Sequence, residues 1–110
     1  MSAVLVDKFT KEGFEVLTAK DGQEGLEMAL KIHPDCILLD ILMPVMDGMT
    51  MLDTLRKDPW GKHACVLMLT NLSSTEKEMA SHALGVNDYL IKTDWKLEDV
   101  VKKVREKIGA

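Results

Sequence analysis

Cysteine is scarce, with only Cys36 and Cys65 in the chain, and neither belongs to a CxxC pair. There is no HExxH motif, and His33, His63 and His82 are scattered. A zinc site of soft ligands is therefore not expected, and free thiols are favoured over a disulfide or a ligand pair. Each cysteine sits in or against an apolar run and reads as a buried free thiol of a reducing compartment. Positive charge is also lacking: 14 Lys and Arg face 18 Asp and Glu, a net charge of −4. That balance offers no basic face to track phosphates, so no direct nucleic-acid partner is expected. No apolar run approaches the ~18 residues of a membrane span and no leader pattern opens the chain, which points to a soluble, cytoplasmic protein. Aromatics make up only 5%. No GxGxxG, P-loop, internal repeat, linker or low-complexity stretch occurs.

What is present is an ordinary globular balance, 46% hydrophobic and 29% charged, over 110 residues. That length suits one domain, residues 1–110. Short apolar runs alternate with amphipathic segments. Glu15-Val16-Leu17-Thr18-Ala19 is strand-like. Asp21-Gly22 opens a helix with apolar positions at Leu26, Ala29, Leu30 and His33, closed by Pro34. Cys36-Ile37-Leu38-Leu39 is a continuous run of the kind that is covered on both faces, and it stops at Asp40. A helix begins near Asp47-Gly48 with Met51, Leu52 and Leu55 inward, and Asp58-Pro59-Trp60-Gly61 breaks it. Cys65–Leu69 is a second run, ending at Thr70. Ser73 and Glu76 have the spacing of a capping box for a helix through Leu84, which Gly85 closes. Asp88–Ile91 is a third run, ending at Lys92. Leu97, Val100, Val101, Val104 and Ile108 form one stripe of a final helix. The alternation predicts an α/β fold, a doubly wound parallel sheet with helices on both faces.

In such a sheet the polar residues ending the runs share the carboxyl edge, where ligands bind. A carboxylate (Asp40), a hydroxyl (Thr70) and an ammonium (Lys92) in that order suit a phosphoryl group. The carboxylate serves as nucleophile, the hydroxyl hydrogen-bonds a phosphoryl oxygen, and the lysine neutralises charge. The plain alternative is that each merely marks where a strand meets water. Three such ends in this order favour the site. The eight methionines, among them Met43, Met46, Met49 and Met51, are read as core filling rather than an adaptable binding surface.

Asp40-Ile41-Leu42-Met43-Pro44-Val45-Met46-Asp47-Gly48, then Leu69-Thr70, then Gly85-Val86-Asn87-Asp88-Tyr89-Leu90-Ile91-Lys92 closely resemble the receiver domain of bacterial response regulators. The likeness runs from about Lys8 to the C-terminus. It implies a flavodoxin-like fold and a phosphoacceptor in two-component or phosphorelay signalling rather than an enzyme. On that pattern Asp40 accepts a phosphoryl group from a sensor histidine kinase or phosphotransfer protein. Thr70 is the switch hydroxyl, Lys92 pairs with the phosphoryl oxygens, and Tyr89 is the switch aromatic. Mg²⁺ is the family's cofactor, with Asp40 and the backbone carbonyl of Leu42 among its ligands. A downstream effector would bind the helix after Thr70, the strand ending at Lys92 and the final helix. A receiver that has lost the chemistry and acts as an interaction module is the rival reading. A flavodoxin-like or cobalamin-binding protein is a weaker one, because no phosphate loop follows a strand.

The pattern departs from the family at its front. Receivers begin with an apolar strand ending in an acidic pair that holds the metal, whereas Val4–Phe14 matches the end of the first helix. The segment is read as helix rather than as that strand with Asp7 as a surviving acid, since Asp7–Phe14 is too short for a parallel crossover of about a dozen residues. With Asp40 and one carbonyl left, Mg²⁺ is expected to bind weakly and phosphate uptake by the chain alone to be poor. The central strand position would also be empty, to be closed by Glu15–Ala19 or by a second chain in a homodimer or higher oligomer. Asn71 beside Thr70, and Thr93 where a proline commonly follows the lysine, are smaller departures.

Overall fold

The computed structural model describes residues 3–41, 45–71 and 74–109. Its first element is a helix, α1, Ala3–Lys11, with Leu5 and Phe9 turned inward one turn apart. Asp7 stands on the outer side and pairs with Lys11 at 2.9 Å. It is thus no strand-end acid. Helix α2, Gly22–Ile32, starts where Asp21 accepts a 2.8 Å hydrogen bond from the Glu24 amide. It stops at His33, whose left-handed backbone (φ 56) returns its amide to the Ala29 carbonyl, and Pro34 bars continuation. Strand β1 is Ile37–Leu39. Asp47 caps α3, Gly48–Arg56, by accepting from the Thr50 amide.

A short 3₁₀ turn, Gly61–His63, leads into β2, Val66–Thr70. Helix α4, Thr75–Ala83, is capped one residue later than the spacing implied: Ser74 Oγ accepts from the Lys77 amide, and Ser73 lies outside the described residues. Gly85, at φ +73, makes the left-handed turn out of α4. Strand β3, Asp88–Ile91, and helix α5, Leu97–Ile108, complete the chain.

The sheet is parallel in the order β1-β2-β3. All five residues of β2 are buried. Successive side chains of a strand point to opposite faces, so β2 divides the core in two. Val66 and Met68 join Ile37 and Leu39 beneath α2 and α3, where Leu52 and Leu55 are fully buried. Leu67 and Leu69 join Leu90 beneath α1 and α5, against Phe9, Val100 and Val104. Helices therefore cover both faces, the doubly wound α/β arrangement that the alternation predicts.

One strand assignment fails. Glu15–Ala19 keeps a strand's alternation, with Phe14 and Val16 half-buried and Glu15 and Leu17 outward, yet it pairs with nothing in the sheet. Ladder pairing needs a partner backbone within about 4.9 Å. Between this segment and β1 lies instead an open groove of about 570 Å³, walled by Leu5, Phe9, Val16, Leu38, Val104 and Ile108 among others. Ile37 and Leu39 bond toward β2, so the amide and carbonyl of Leu38 face this groove. Among the described residues, none pairs with this edge of β1. The segment is held from behind, because Arg105 of α5 reaches the Glu12 carbonyl (2.8 Å) and lies 5.1 Å from the centre of the Phe14 ring.

The opposite side of the molecule is pinned by Arg56. Its guanidinium donates to the carbonyls of Leu84, Gly61, Ala64 and Gly85 at 2.7–2.9 Å, joining the end of α3 to the turn before β2 and to the end of α4. Burial lowers its pKa, while the remaining acidity range leaves it cationic. Replacing Arg56 with alanine strands these carbonyls and is expected to cost about 2–4 kcal/mol, a drop in Tm of roughly 10 °C or more. Lysine, with no planar fork, should recover only part of that loss. Thermal melts of R56A and R56K check this, and an unchanged midpoint would show that water serves the carbonyls equally well.

Candidate functional site

The register sets the geometry of the carboxyl edge. Leu39 stands beside Met68, and Met68 beside Tyr89. Asp40, the next residue after β1, is therefore level with Leu69 and Leu90, while Thr70 and Ile91 lie one step further along. Lys92 follows Ile91 at the start of a 3₁₀ turn, Lys92–Asp94. Asp40 and Lys92 thus flank the central strand, two strand spacings of about 4.8 Å apart. The lysine spans that distance: its Nζ donates to Asp40 Oδ2 at 3.0 Å. Both side chains are partly exposed, 25% for Asp40 and 32% for Lys92, so the pair is open to an incoming group while each charge is matched.

Thr70 lies between them at the end of β2 and is fully buried. Asp40, Thr70 and Lys92 are thus brought to one edge, as the three run ends predict. Tyr89 sits on β3 and is buried, 7% exposed, in the core beneath α2 and α3. Asn71 is exposed beside Thr70. Leu42, expected to offer a carbonyl to the metal, lies outside the described residues.

The sequence did not signal what holds Asp40 in place. The Gly48 amide donates to the Ile41 carbonyl at 2.9 Å, closing the loop after β1. A Cβ at Gly48 would collide with the Asp40 carbonyl oxygen, so the first residue of α3 must be glycine for the helix to sit against the Asp40 backbone. Asp47-Gly48 reads in sequence as a helix start, and a packing demand leaves no local mark.

The described residues can be tested against Mg²⁺, which draws on one or two carboxylates with waters and phosphate. No group of three or more His, Cys, Asp or Glu side chains among them is placed to hold a metal ion. The strand ends contribute one carboxylate, Asp40, and its Oδ2 is taken by Lys92. Asp7 is on the outer side of α1. Among the described residues, Asp40 alone supplies the minimum of such a donor set, which would hold a magnesium ion only weakly.

Burial, and then the charges of Glu78 and Asp40, push the Tyr89 hydroxyl above its ordinary value of 10.0. The fold favours the neutral phenol, so this contribution to stability is intact below pH 10 and is lost as pH rises through the higher folded value. Tyr89 is the chain's one tyrosine, so tyrosinate absorbance reports it alone. Its midpoint is expected above 10 in the native protein and near 10 in denaturant, and a native midpoint at or below 10 would contradict this account.

Comparison with known proteins agrees with this fold. The family model of the response regulator receiver domain matches residues 1–105. The chain is 40% identical over 89 residues to the response regulator PleD of Caulobacter vibrioides, a stretch covering 81% of this chain and 20% of PleD. It therefore spans about a fifth of that relative's length. Among solved structures, a response regulator of Chloroflexus aurantiacus superposes with a TM-score of 0.86 at 31% identity, covering 97% of this chain and 87% of that one. The receiver domain of a sensor histidine kinase from Pseudomonas aeruginosa, with magnesium coordinated in its active-site cleft, gives 0.86 at 25% identity over 97% of this chain and 87% of its own. With its parallel sheet, its two helix layers and Asp40, Thr70 and Lys92 at one edge, the chain belongs to the response regulator receiver domain family and has its flavodoxin-like fold.

Proposed function

We propose that this chain is a phosphoacceptor of two-component or phosphorelay signalling, phosphorylated on Asp40. The observation that carries the reading is the 3.0 Å contact of Lys92 Nζ with Asp40 Oδ2 beside the buried Thr70. A carboxylate oxygen of Asp40 attacks the phosphorus of a phosphohistidine on a sensor kinase or phosphotransfer protein. The P–O bond forms as the P–N bond breaks, and the imidazole leaves with the electron pair. Lys92 then exchanges one negative partner for another, from the free carboxylate to the phosphoryl oxygens. The Thr70 hydroxyl is the nearest donor on β2 for a second phosphoryl oxygen.

Asp40 is consumed and regenerated rather than turned over rapidly, so the role is that of a signalling acceptor in the cytoplasm and not of an enzyme. The effector-binding face is formed by α4, β3 and α5. Met79 on α4 is 67% exposed there, and Tyr89 lies beneath as the aromatic able to report the state of the site.

The single carboxylate at the strand ends lowers the expected yield of this chemistry. Treatment with acetyl phosphate and magnesium, followed by intact mass, is expected to show a fractional gain of one phosphoryl group. The gain should be lost in Asp40→Asn and reduced in Lys92→Ala. Labelling retained in D40N would place the acceptor elsewhere. No labelling of the native chain at saturation would favour an interaction module, and stoichiometric labelling would show that one carboxylate suffices.

We also propose that the groove beside β1 is filled by an extended strand from a second copy, giving a dimer or higher oligomer. Its support is the outward amide and carbonyl of Leu38 and the apolar walls around them. Light scattering should return at least twice the mass of the 110-residue chain. A stable, cooperatively melting monomer would refute this.

A further inference from the structure

The two cysteines are separated by 29 positions in sequence but meet in space. Cys36 precedes β1 and Cys65 precedes β2, and the register that pairs Ile37 with Val66 places them side by side when continued back by one residue. The Ile37 amide donates to the Cys65 carbonyl at 2.9 Å, so the backbone is already laddered at this point. The sulfurs are 3.6 Å apart and both residues are partly exposed. Sequence reading favours buried free thiols over a disulfide or a ligand pair. Neither belongs to the carboxyl edge, since they lie at the amino ends of strands whose other ends lead to Asp40 and Thr70.

We propose that Cys36 and Cys65 are an oxidation site, a dithiol that small-molecule disulfides such as oxidised glutathione convert to an intramolecular disulfide. Facing residues of neighbouring strands stand about 4.8 Å apart, within the roughly 4.4–6.8 Å between the Cα atoms of bridged cysteines. The sulfurs already stand 3.6 Å apart on strands whose backbones are laddered at this point.

The exchange takes two steps. The thiolate of one cysteine attacks one sulfur of the oxidised glutathione, forming a mixed disulfide and releasing a glutathione thiolate. The other cysteine then gives up its proton and attacks the protein sulfur of the mixed disulfide, releasing the second glutathione. The protein dithiol is oxidised by two electrons, and one oxidised glutathione becomes two reduced ones. Both residues are partly exposed, so either cysteine can open the exchange and the other, 3.6 Å away, resolves it. The bridge ties β1, the strand that leads to Asp40 and has an open outer side, covalently to β2.

The experiment exposes the reduced chain to oxidised glutathione and reads intact mass, free thiols and thermal melting. The native protein is expected to lose two hydrogens and both thiols, remain unlinked to other chains, and melt about 5 °C or more higher, with reversal by dithiothreitol. Cys36→Ser and Cys65→Ser should each stop at a lasting glutathione adduct on the remaining cysteine, with no intramolecular bridge. A lasting adduct on the native chain, two thiols surviving prolonged exposure, or disulfide-linked dimers would each overturn the proposal. A bridge that left the melt unchanged would overturn the tether. These readouts are independent of phosphate chemistry, so failure here and failure of the Asp40 assignment are separable.

Discussion

The parallel register around β2 is the constraint on which the rest of the molecule depends. A parallel strand cannot be joined to its neighbour by a tight turn, so each connection crosses a face of the sheet and carries a helix. Full burial of Val66–Thr70 follows, with alternate residues serving two separate cores. The same directionality brings all carboxyl ends to one edge. A carboxylate, a hydroxyl and an ammonium from distant parts of the chain then come together with no local motif joining them. The ion pair of Asp40 and Lys92 makes the edge tolerable, because neither charge is left unmatched beside the buried end of β2. Its partial exposure limits its contribution to stability and leaves it open to exchange.

Around this axis the molecule is unevenly held. On the side of α3 and α4, Arg56 gathers four carbonyls from two segments, and Leu52 and Leu55 are fully enclosed. On the far side of β1, the segment 14–19 is held by α1 and α5 through Phe9, Phe14 and Arg105 but makes no ladder. The groove between them keeps the apolar walls and the backbone edge of a strand position. The strand that leads to Asp40 is therefore secured by hydrogen bonds on one side only. Its amino end lies beside Cys65, and its carboxyl end rests on Gly48, so the two ends of β1 matter more than its three residues suggest.

Much of this was legible in the residues because it is local. Asp21 and Asp47 cap helices through amides three residues on. The stripe of α5 and the abrupt ends of the apolar runs each reflect the surroundings of a few successive side chains. The segment Val4–Phe14 reads as helix from its resemblance to the end of the family's first helix and from crossover length, and a helix stands there over Ala3–Lys11. The strand expected at Glu15–Ala19 failed because strand character is completed by a partner. Its alternating pattern survives, but among the described residues it joins no ladder. The cap of α4 moved from Ser73 to Ser74, since neighbouring serines are equivalent to a spacing rule.

By itself the sequence determined the order of helices and strands, the polar residue that ends each run, and through its motifs the receiver family. Only the tertiary structure decided which of those groups touch. The contact of Lys92 with Asp40 spans 52 residues, that of Arg56 with Gly85 spans 29, and the cysteine pair also spans 29. Each depends on strand register and helix packing, summed over the whole core. Periodicity reports which way a side chain faces, but the distance between two faces is set by everything that lies between them.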